Sequence, residues 1–136
     1  MNTLDAFRSA FETSDAAAAV ATFAEDVVLH SPAVISQDYA GRELAGRIIG
    51  FAAQVLEDVR FTDELHSPEG STHGLVLEAR VGAERAQGIL YLGTADDGRI
   101  TGVTLLLRPL RAVQAFVEAM GVRGAQPALD YAAGTE

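Results

Sequence analysis

The chain is 136 residues long, carries a formal net charge of −9 and contains no cysteine, while 49% of its residues are hydrophobic and 21% are charged. This length and composition are typical of one globular domain that buries a core without metal or disulfide support. The missing cysteines exclude disulfides and thiolate chemistry, and the acidic charge disfavours binding to a nucleic-acid backbone.

The basic side chains are ten arginines and no lysine, which excludes a Schiff-base lysine. Residues 1–15 contain acidic side chains early and no apolar stretch, so they lack the pattern of a signal peptide. No run approaches the ~18 apolar residues of a membrane span. We therefore expect a cytoplasmic protein that contacts neither a membrane nor nucleic acid.

Apolar residues at helical spacing dominate the N-terminal part of the chain, and Thr3 can cap a first helix that has Phe7 and Phe11 on one face. The elements that this part predicts are a helix from Thr3, a short helix from Ser14 or Asp15, a strand over 27–29 that stops at Pro32, a loop over 36–41 and a helix over 42–56.

After Asp58 the apolar period changes to two, which is the period of a half-buried strand. The elements predicted there are strands over 59–64, 74–81, 86–94 and 100–107, a tight turn at 96–98, and a closing helix over 110–120 that ends at Gly121. Helices that are segregated from an antiparallel sheet indicate an α+β fold.

Four stretches carry a family resemblance: FAEDVVLHSPAV (23–34), YAGRELAGRI (39–48), GILYLGTADDGRITGV (88–103) and RPLRAVQAFVEAMG (108–121). They resemble the NTF2-like superfamily, and most closely its SnoaL-like and ketosteroid-isomerase-like branches. The resemblance implies one SnoaL-like domain over residues 1–123 and a flexible tail over 124–136. It also implies a cystatin-like α+β cone, in which helices pack on a strongly curved antiparallel sheet around a deep, mostly apolar pocket. Such proteins are usually homodimers that pair through the outer face of the sheet.

Ketosteroid isomerases shuttle a proton with a carboxylate, and they stabilise the oxyanion with a tyrosine and a protonated carboxylic acid. By the resemblance, the tyrosine position falls on Phe7, the base position on Ser31 and the position of the oxyanion-hole acid on Leu90. These side chains supply neither the base nor the donors, so the resemblance implies a protein without this isomerase activity. A SnoaL-type cyclase would also need an acid at the Leu90 position.

Some polar residues are better explained as surface groups. Glu78 and Arg80 are the nearest match to the acid–arginine set of a limonene-type epoxide hydrolase. Their strand parity is opposite to that of Leu77, so we expect an exposed or dimer-interface ion pair. We also expect His66 and His73 to be exposed, and no pair of histidines has the spacing of a helical metal site.

His30 and its neighbours are the remaining candidates for chemistry. If Ser31 points inward, His30 points to the other face, and we expect a structural histidine that is hydrogen-bonded to backbone or to a helix. If His30 is functional instead, it acts as a general acid–base together with Tyr39 or Asp38.

The sequence therefore predicts a protein that binds an apolar small molecule, with no cofactor and no metal. The residues predicted to line its pocket are Phe7, Phe11, Phe23, Ser31, Phe51, Val55, Leu77, Ala79, Leu90, Leu105 and Leu107. Two alternatives stay open. One is a SnoaL-like enzyme of isomerase, cyclase or hydrolase type that uses His30 with Tyr39 or Asp38. The other is a structural dimer whose pocket is collapsed.

Overall fold

The computed structural model describes residues 2–30 and 38–122, so Ser31 and the expected C-terminal tail over 124–136 lie outside the described residues. The elements are α1 (Thr3–Glu12), α2 (Ala16–Val20), β1 (Phe23–His30), β2 (Asp38–Ala40), α3 (Arg42–Val55), β3 (Glu57–His66), β4 (Thr72–Val81), β5 (Glu84–Thr94), β6 (Ile100–Arg108) and α4 (Leu110–Val122). The α+β architecture and the order of its main elements are as predicted. Some details differ: residues 38–40 form a short strand where a loop was expected, the first strand begins at Phe23 rather than at residue 27, and Gly121 lies inside α4 instead of ending it.

The six strands form one sheet in the order β2-β1-β6-β5-β4-β3. The strands from β3 to β6 form an antiparallel meander, and β2 pairs antiparallel with β1. The expectation of a wholly antiparallel sheet is wrong in one place, since β1 runs parallel to β6. Register shifts interrupt the β1–β6, β3–β4 and β5–β6 ladders, and such irregularities bend and twist a sheet.

Side-chain caps fix the beginnings of the first two helices. The Asn2 side chain, rather than Thr3, accepts a hydrogen bond from the backbone N–H of Asp5 at 2.8 Å. Asp15 caps α2 by accepting from the backbone N–H of Ala18 at 3.1 Å. Ser14, the other expected cap, instead donates its hydroxyl to the carbonyl oxygen of Ala53 in α3 at 2.9 Å, which ties the α1–α2 turn to that helix.

Aromatic side chains join α1 to β1 and to β3, which lie toward opposite edges of the sheet. Phe7 and Phe11 are 0% and 1% exposed. The ring centroid of Phe7 lies 6.2 Å from that of Phe23 in β1, and the centroid of Phe11 lies 6.3 Å from that of Phe61 in β3. These separations are those of favourable aromatic pairs, so α1 is held across the inner face of the sheet.

One core cluster contains side chains from all four helices and from the inner face of the sheet. Along β4 and β5 the inner positions include Leu75, Leu77, Leu90 and Leu92, each 0% exposed. The outer positions alternate with them and are more exposed, and Tyr91 is 49% exposed there, as its parity predicts. The helices therefore cover one face, which defines an interior. No helix in the described ranges is long and apolar enough to cross a membrane.

Candidate functional site

The predicted pocket residues lie in the core cluster or pack against it. Those that are buried are Phe7, Phe11, Phe23, Val55, Leu77, Leu90 and Leu105, and those that are half-buried are Phe51, Ala79 and Leu107. Ser31, the remaining member of the set, lies outside the described residues. The described residues of this set therefore lie in one region, between the helices and the inner face of the sheet. That they line a ligand pocket stays a prediction.

The interior is almost wholly apolar. Among the described residues that are buried, none is a carboxylate, a lysine or an arginine. The buried polar side chains are Thr22, which donates to the carbonyl oxygen of Ala19 at 2.6 Å, and His73. The hydroxyl of Tyr39, whose side chain is otherwise part of the core, is buried as well, and so are the Nε atoms of the partly exposed Arg42 and Arg80. A ligand held here would meet apolar surface and very few hydrogen-bonding groups.

Tyr39 reaches this interior from the edge strand β2. It lies directly across from Leu29 of β1, and the two residues are both 4% exposed, so both point inward. The buried hydroxyl oxygen has no hydrogen-bond partner in the part of the chain that the structure describes. Burial raises the pKa of Tyr39 above its usual 10.0, so the phenol keeps its proton at neutral pH and can donate it in a hydrogen bond.

His30 and Asp38 lie on the opposite face of the same two strands. They are direct cross-strand partners, and Nδ1 of His30 lies 2.8 Å from Oδ1 of Asp38. Both side chains are about half-exposed. The partner of His30 is thus the Asp38 carboxylate rather than backbone or a helix. The structure brings these two candidates together and places Tyr39 on the other side of the sheet, beyond reach of His30.

A second histidine contact joins β3 and β4. The Nδ1 atoms of His66 and His73 are 2.7 Å apart, and Nε2 of His73 lies 3.2 Å from the Thr94 hydroxyl. The expectation that both imidazoles are exposed is wrong for His73, which is only 7% exposed. Its burial and then the nearby His66 lower the pKa of His73. The signal was present in the sequence, since His73 has the strand parity of the inward-facing Leu75.

The other polar candidates form surface ion pairs. Arg60 of β3 donates to Glu78 of β4 at 2.6 Å, and Arg80 donates to Glu57 at 2.8 Å. Glu78 and Arg80 are thus in exposed ion pairs as expected, but their partners are on β3. Within the described ranges, no group of three or more histidine, aspartate or glutamate side chains could hold a metal ion.

Comparison with solved structures identifies the family. A steroid delta-isomerase from Pseudomonas aeruginosa is 30% identical, superposes with a TM-score of 0.85, and the match covers 92% of this chain and 90% of that one. A bacterial protein with a cystatin-like fold from Silicibacter pomeroyi is 24% identical, with a TM-score of 0.84 and coverage of 95% and 91%. An NTF2-like protein from Cytophaga hutchinsonii is 14% identical, with a TM-score of 0.63 and coverage of 79% and 88%.

The chain belongs to the NTF2-like superfamily, as its sequence motifs indicated. Its α+β fold is the cystatin-like fold of these neighbours. Comparison with protein-family models gives no match, and neither does comparison with curated protein sequences. The superfamily includes isomerases and binders of small molecules, so the choice between them depends on this chain's own residues.

Proposed function

We propose that this protein binds an apolar small molecule between the helices and the inner face of its sheet, and that it does not catalyse ketosteroid isomerisation. One observation carries the proposal: no carboxylate is buried among the described residues. Isomerisation needs a base next to the substrate carbon and acidic donors next to the substrate oxygen. Phe7 and Leu90, at two positions where the resemblance puts those donors, are both 0% exposed hydrocarbon.

The similarity to a steroid delta-isomerase favours a rigid, ring-containing ligand. An apolar ring system suits an interior built from leucine, phenylalanine and valine, because the transfer of apolar surface out of water supplies most of the binding energy in such sites. His30 takes no part in this function, since its imidazole lies on the outer face with Asp38.

Thermal unfolding in the presence of progesterone and of tetralone tests the proposal. We expect a rise in melting temperature that follows ligand concentration, and about 2.7 kcal/mol of added stability at a hundredfold excess over Kd. The control variant His30→Ala should show the same rise. If neither compound stabilises the protein, the result would contradict the proposed binding and favour the alternative of a structural dimer whose pocket is collapsed. Turnover of an unconjugated ketosteroid that is lost in His30→Ala would favour the enzyme instead.

We also propose that the protein is a homodimer that pairs through the outer face of the sheet. That face carries Tyr91 and Leu106, which are 49% and 52% exposed, and the half-buried Val76 and Ile89 lie beside them in register. Exposed apolar side chains in a contiguous patch are typical of protein–protein contacts.

Light scattering coupled to size-exclusion chromatography tests the dimer. We expect twice the monomer mass for the wild type and the monomer mass for Leu106→Asp, because the variant would bury two unpaired carboxylates at a symmetric interface. Leu110→Asp is the matched control: Leu110 is 70% exposed in α4 rather than on the sheet. A monomeric wild type, or equal behaviour of the two variants, would contradict the proposed interface.

A further inference from the structure

Two of the three histidines of the chain face each other at one edge of the sheet. His66 is the last residue of β3, and His73 is its direct cross-strand partner in β4. Their Nδ1 atoms are 2.7 Å apart, and the two ring planes meet at 75° with centroids 5.0 Å apart. The Nδ1 atoms of the two rings therefore converge on one point between the strands.

Each imidazole also has an oxygen near its other nitrogen. Nε2 of His73 lies 3.2 Å from the Thr94 hydroxyl, and Nε2 of His66 lies 3.7 Å from a carboxylate oxygen of Glu64. A histidine that binds a metal ion through one nitrogen donates the N–H of the other to an oxygen, which fixes the tautomer and the orientation of the ring. Both rings thus have the surroundings of a ligand that binds through Nδ1.

A metal ion between the rings would take the place of a proton. A proton on one Nδ1 accounts for a separation of hydrogen-bonding length. When an ion binds both Nδ1 atoms, this proton moves to Nε2 of the same ring, so both imidazoles stay neutral. Zinc–nitrogen bonds and tetrahedral geometry place two ligating nitrogens about 3.3 Å apart, so the rings must separate by about 0.6 Å. His66 has room for this movement, because it ends an edge strand and its side chain is 44% exposed.

The ligand chemistry favours a divalent transition metal over magnesium or calcium. Imidazole nitrogen suits zinc, copper and nickel, whereas the hard cations bind oxygen. Glu64 orients His66 rather than binding the ion, because its carboxylate lies near Nε2 and also 4.0 Å from Nη1 of Arg8. No third histidine or carboxylate joins the pair in a metal-binding group within the described ranges, so water would fill the remaining positions.

We propose that His66 and His73 form a two-nitrogen site for a divalent transition-metal ion of the zinc and copper type. The ion is bound through the two Nδ1 atoms, and Thr94 and Glu64 are positioning residues at the two Nε2 atoms. The bound ion links β3 to β4 at the sheet edge and so stabilises the fold, since it binds the paired strands and not the unfolded chain. The site does not depend on a ligand in the interior, so it stands or falls separately from the proposed function.

Calorimetric titration of the untagged chain with zinc chloride tests the site at about pH 7.5, where an ordinary imidazole is neutral. We expect one ion per chain for the wild type and no measurable binding for His66→Gln. His30→Gln is the matched control, because it removes the remaining histidine, which lies on the outer face, and it should bind zinc as the wild type does. Magnesium chloride should give no binding.

The positioning by Thr94 has its own readout. Thr94→Val should weaken zinc binding about tenfold, as the loss of a group that orients a ligand predicts, and Thr94→Ser should restore the affinity because it keeps the hydroxyl. Zinc should raise the melting temperature of the wild type and of His30→Gln but not that of His66→Gln.

Electron paramagnetic resonance of the wild type with one equivalent of copper(II) needs no variant. We expect hyperfine splitting from two nitrogens. Splitting from fewer nitrogens, the absence of zinc binding, or equal zinc affinity in the wild type and His66→Gln would overturn the site. Circular dichroism of metal-free His66→Gln should match that of the wild type, because the side chain is 44% exposed. If that variant does not fold, the copper spectrum and the Thr94 variants decide.

Discussion

Leu90→Asp is expected to make the stability of this protein strongly dependent on pH. Leu90 is 0% exposed, and its partners across the neighbouring strands, Leu75 and Leu105, are 0% and 3% exposed. Apolar surroundings of this kind disfavour a charged carboxylate and raise the pKa of a buried carboxyl by up to 3–5 units. The aspartate would therefore stay protonated in the folded protein at a pH where it is ionised in the unfolded chain.

Two contributions determine how much Leu90→Asp lowers the free energy of unfolding. The exchange of a packed leucine for a neutral acid costs about 3–5 kcal/mol at any pH, through lost apolar contact and a buried polar group. The unfolded carboxyl ionises near its ordinary pKa of about 3.9, while the folded one still holds its proton, so each further pH unit favours the unfolded state by about 1.4 kcal/mol. A rise of about 3 units adds about 4 kcal/mol near pH 7, and the total is comparable to the whole stability of many domains.

Urea unfolding followed by circular dichroism between about pH 4 and pH 7 measures this difference. Leu110→Asp is the control, because Leu110 is 70% exposed in α4 and lies away from the outer face of the sheet. We expect the destabilisation by Leu90→Asp to grow steeply with pH and that by Leu110→Asp to change little. A loss of stability at Leu90 that is the same at every pH would refute the argument that an apolar interior surrounds this position.

His73→Leu is expected to weaken the acid sensitivity of the fold. The pKa of His73 is lowered from 6.5 by burial and by His66, so the unfolded state binds a proton more readily and the wild type loses stability as the pH falls below that value. Thermal unfolding at about pH 8 and about pH 5 should show a smaller difference in the variant, and an unchanged difference would contradict this assignment. Gly46→Val is expected to cost about 1–3 kcal/mol, because a side chain at that position overlaps Val20 of α2. Denaturant unfolding should show a smaller loss for Gly102→Val, where a Cβ meets nothing within 4 Å, and equal losses would count against the overlap.

The order of elements could be predicted because the hydrophobic period changes where the element type changes. The period of two after Asp58 corresponds to β3–β6, and the turn at 96–98 joins β5 to β6. The parallel pairing of β1 with β6 could not be predicted, since the two strands come from distant parts of the chain and no local pattern records which strands will meet. Strand β2 has three residues, too few for a period to be recognised.

The site was harder to predict than the fold, for two physical reasons. Histidine is intermediate between buried and exposed residue types, so its identity does not decide the burial of His73, and the strand parity of His73 was the better guide. The separation of Tyr39 from His30 depends on how β1 and β2 align, and the sequence contains no turn motif of known geometry between them that would fix that alignment.

The alignment of β1 with β2 determines which side chains of β2 point into the interior. As paired, Tyr39 points inward and Asp38 meets His30 outside. A slip of one residue would exchange the faces of Asp38 and Tyr39, because side chains alternate along a strand, and it would bring a carboxylate into the apolar interior. Gly41 opposes the slip: its N–H donates to the carbonyl oxygen of Val27 at 2.8 Å, and its φ of 92° is a conformation that favours glycine. Because burying the carboxylate would also cost more than burying the phenol, the paired register keeps the neutral phenol inside and the His30–Asp38 pair outside.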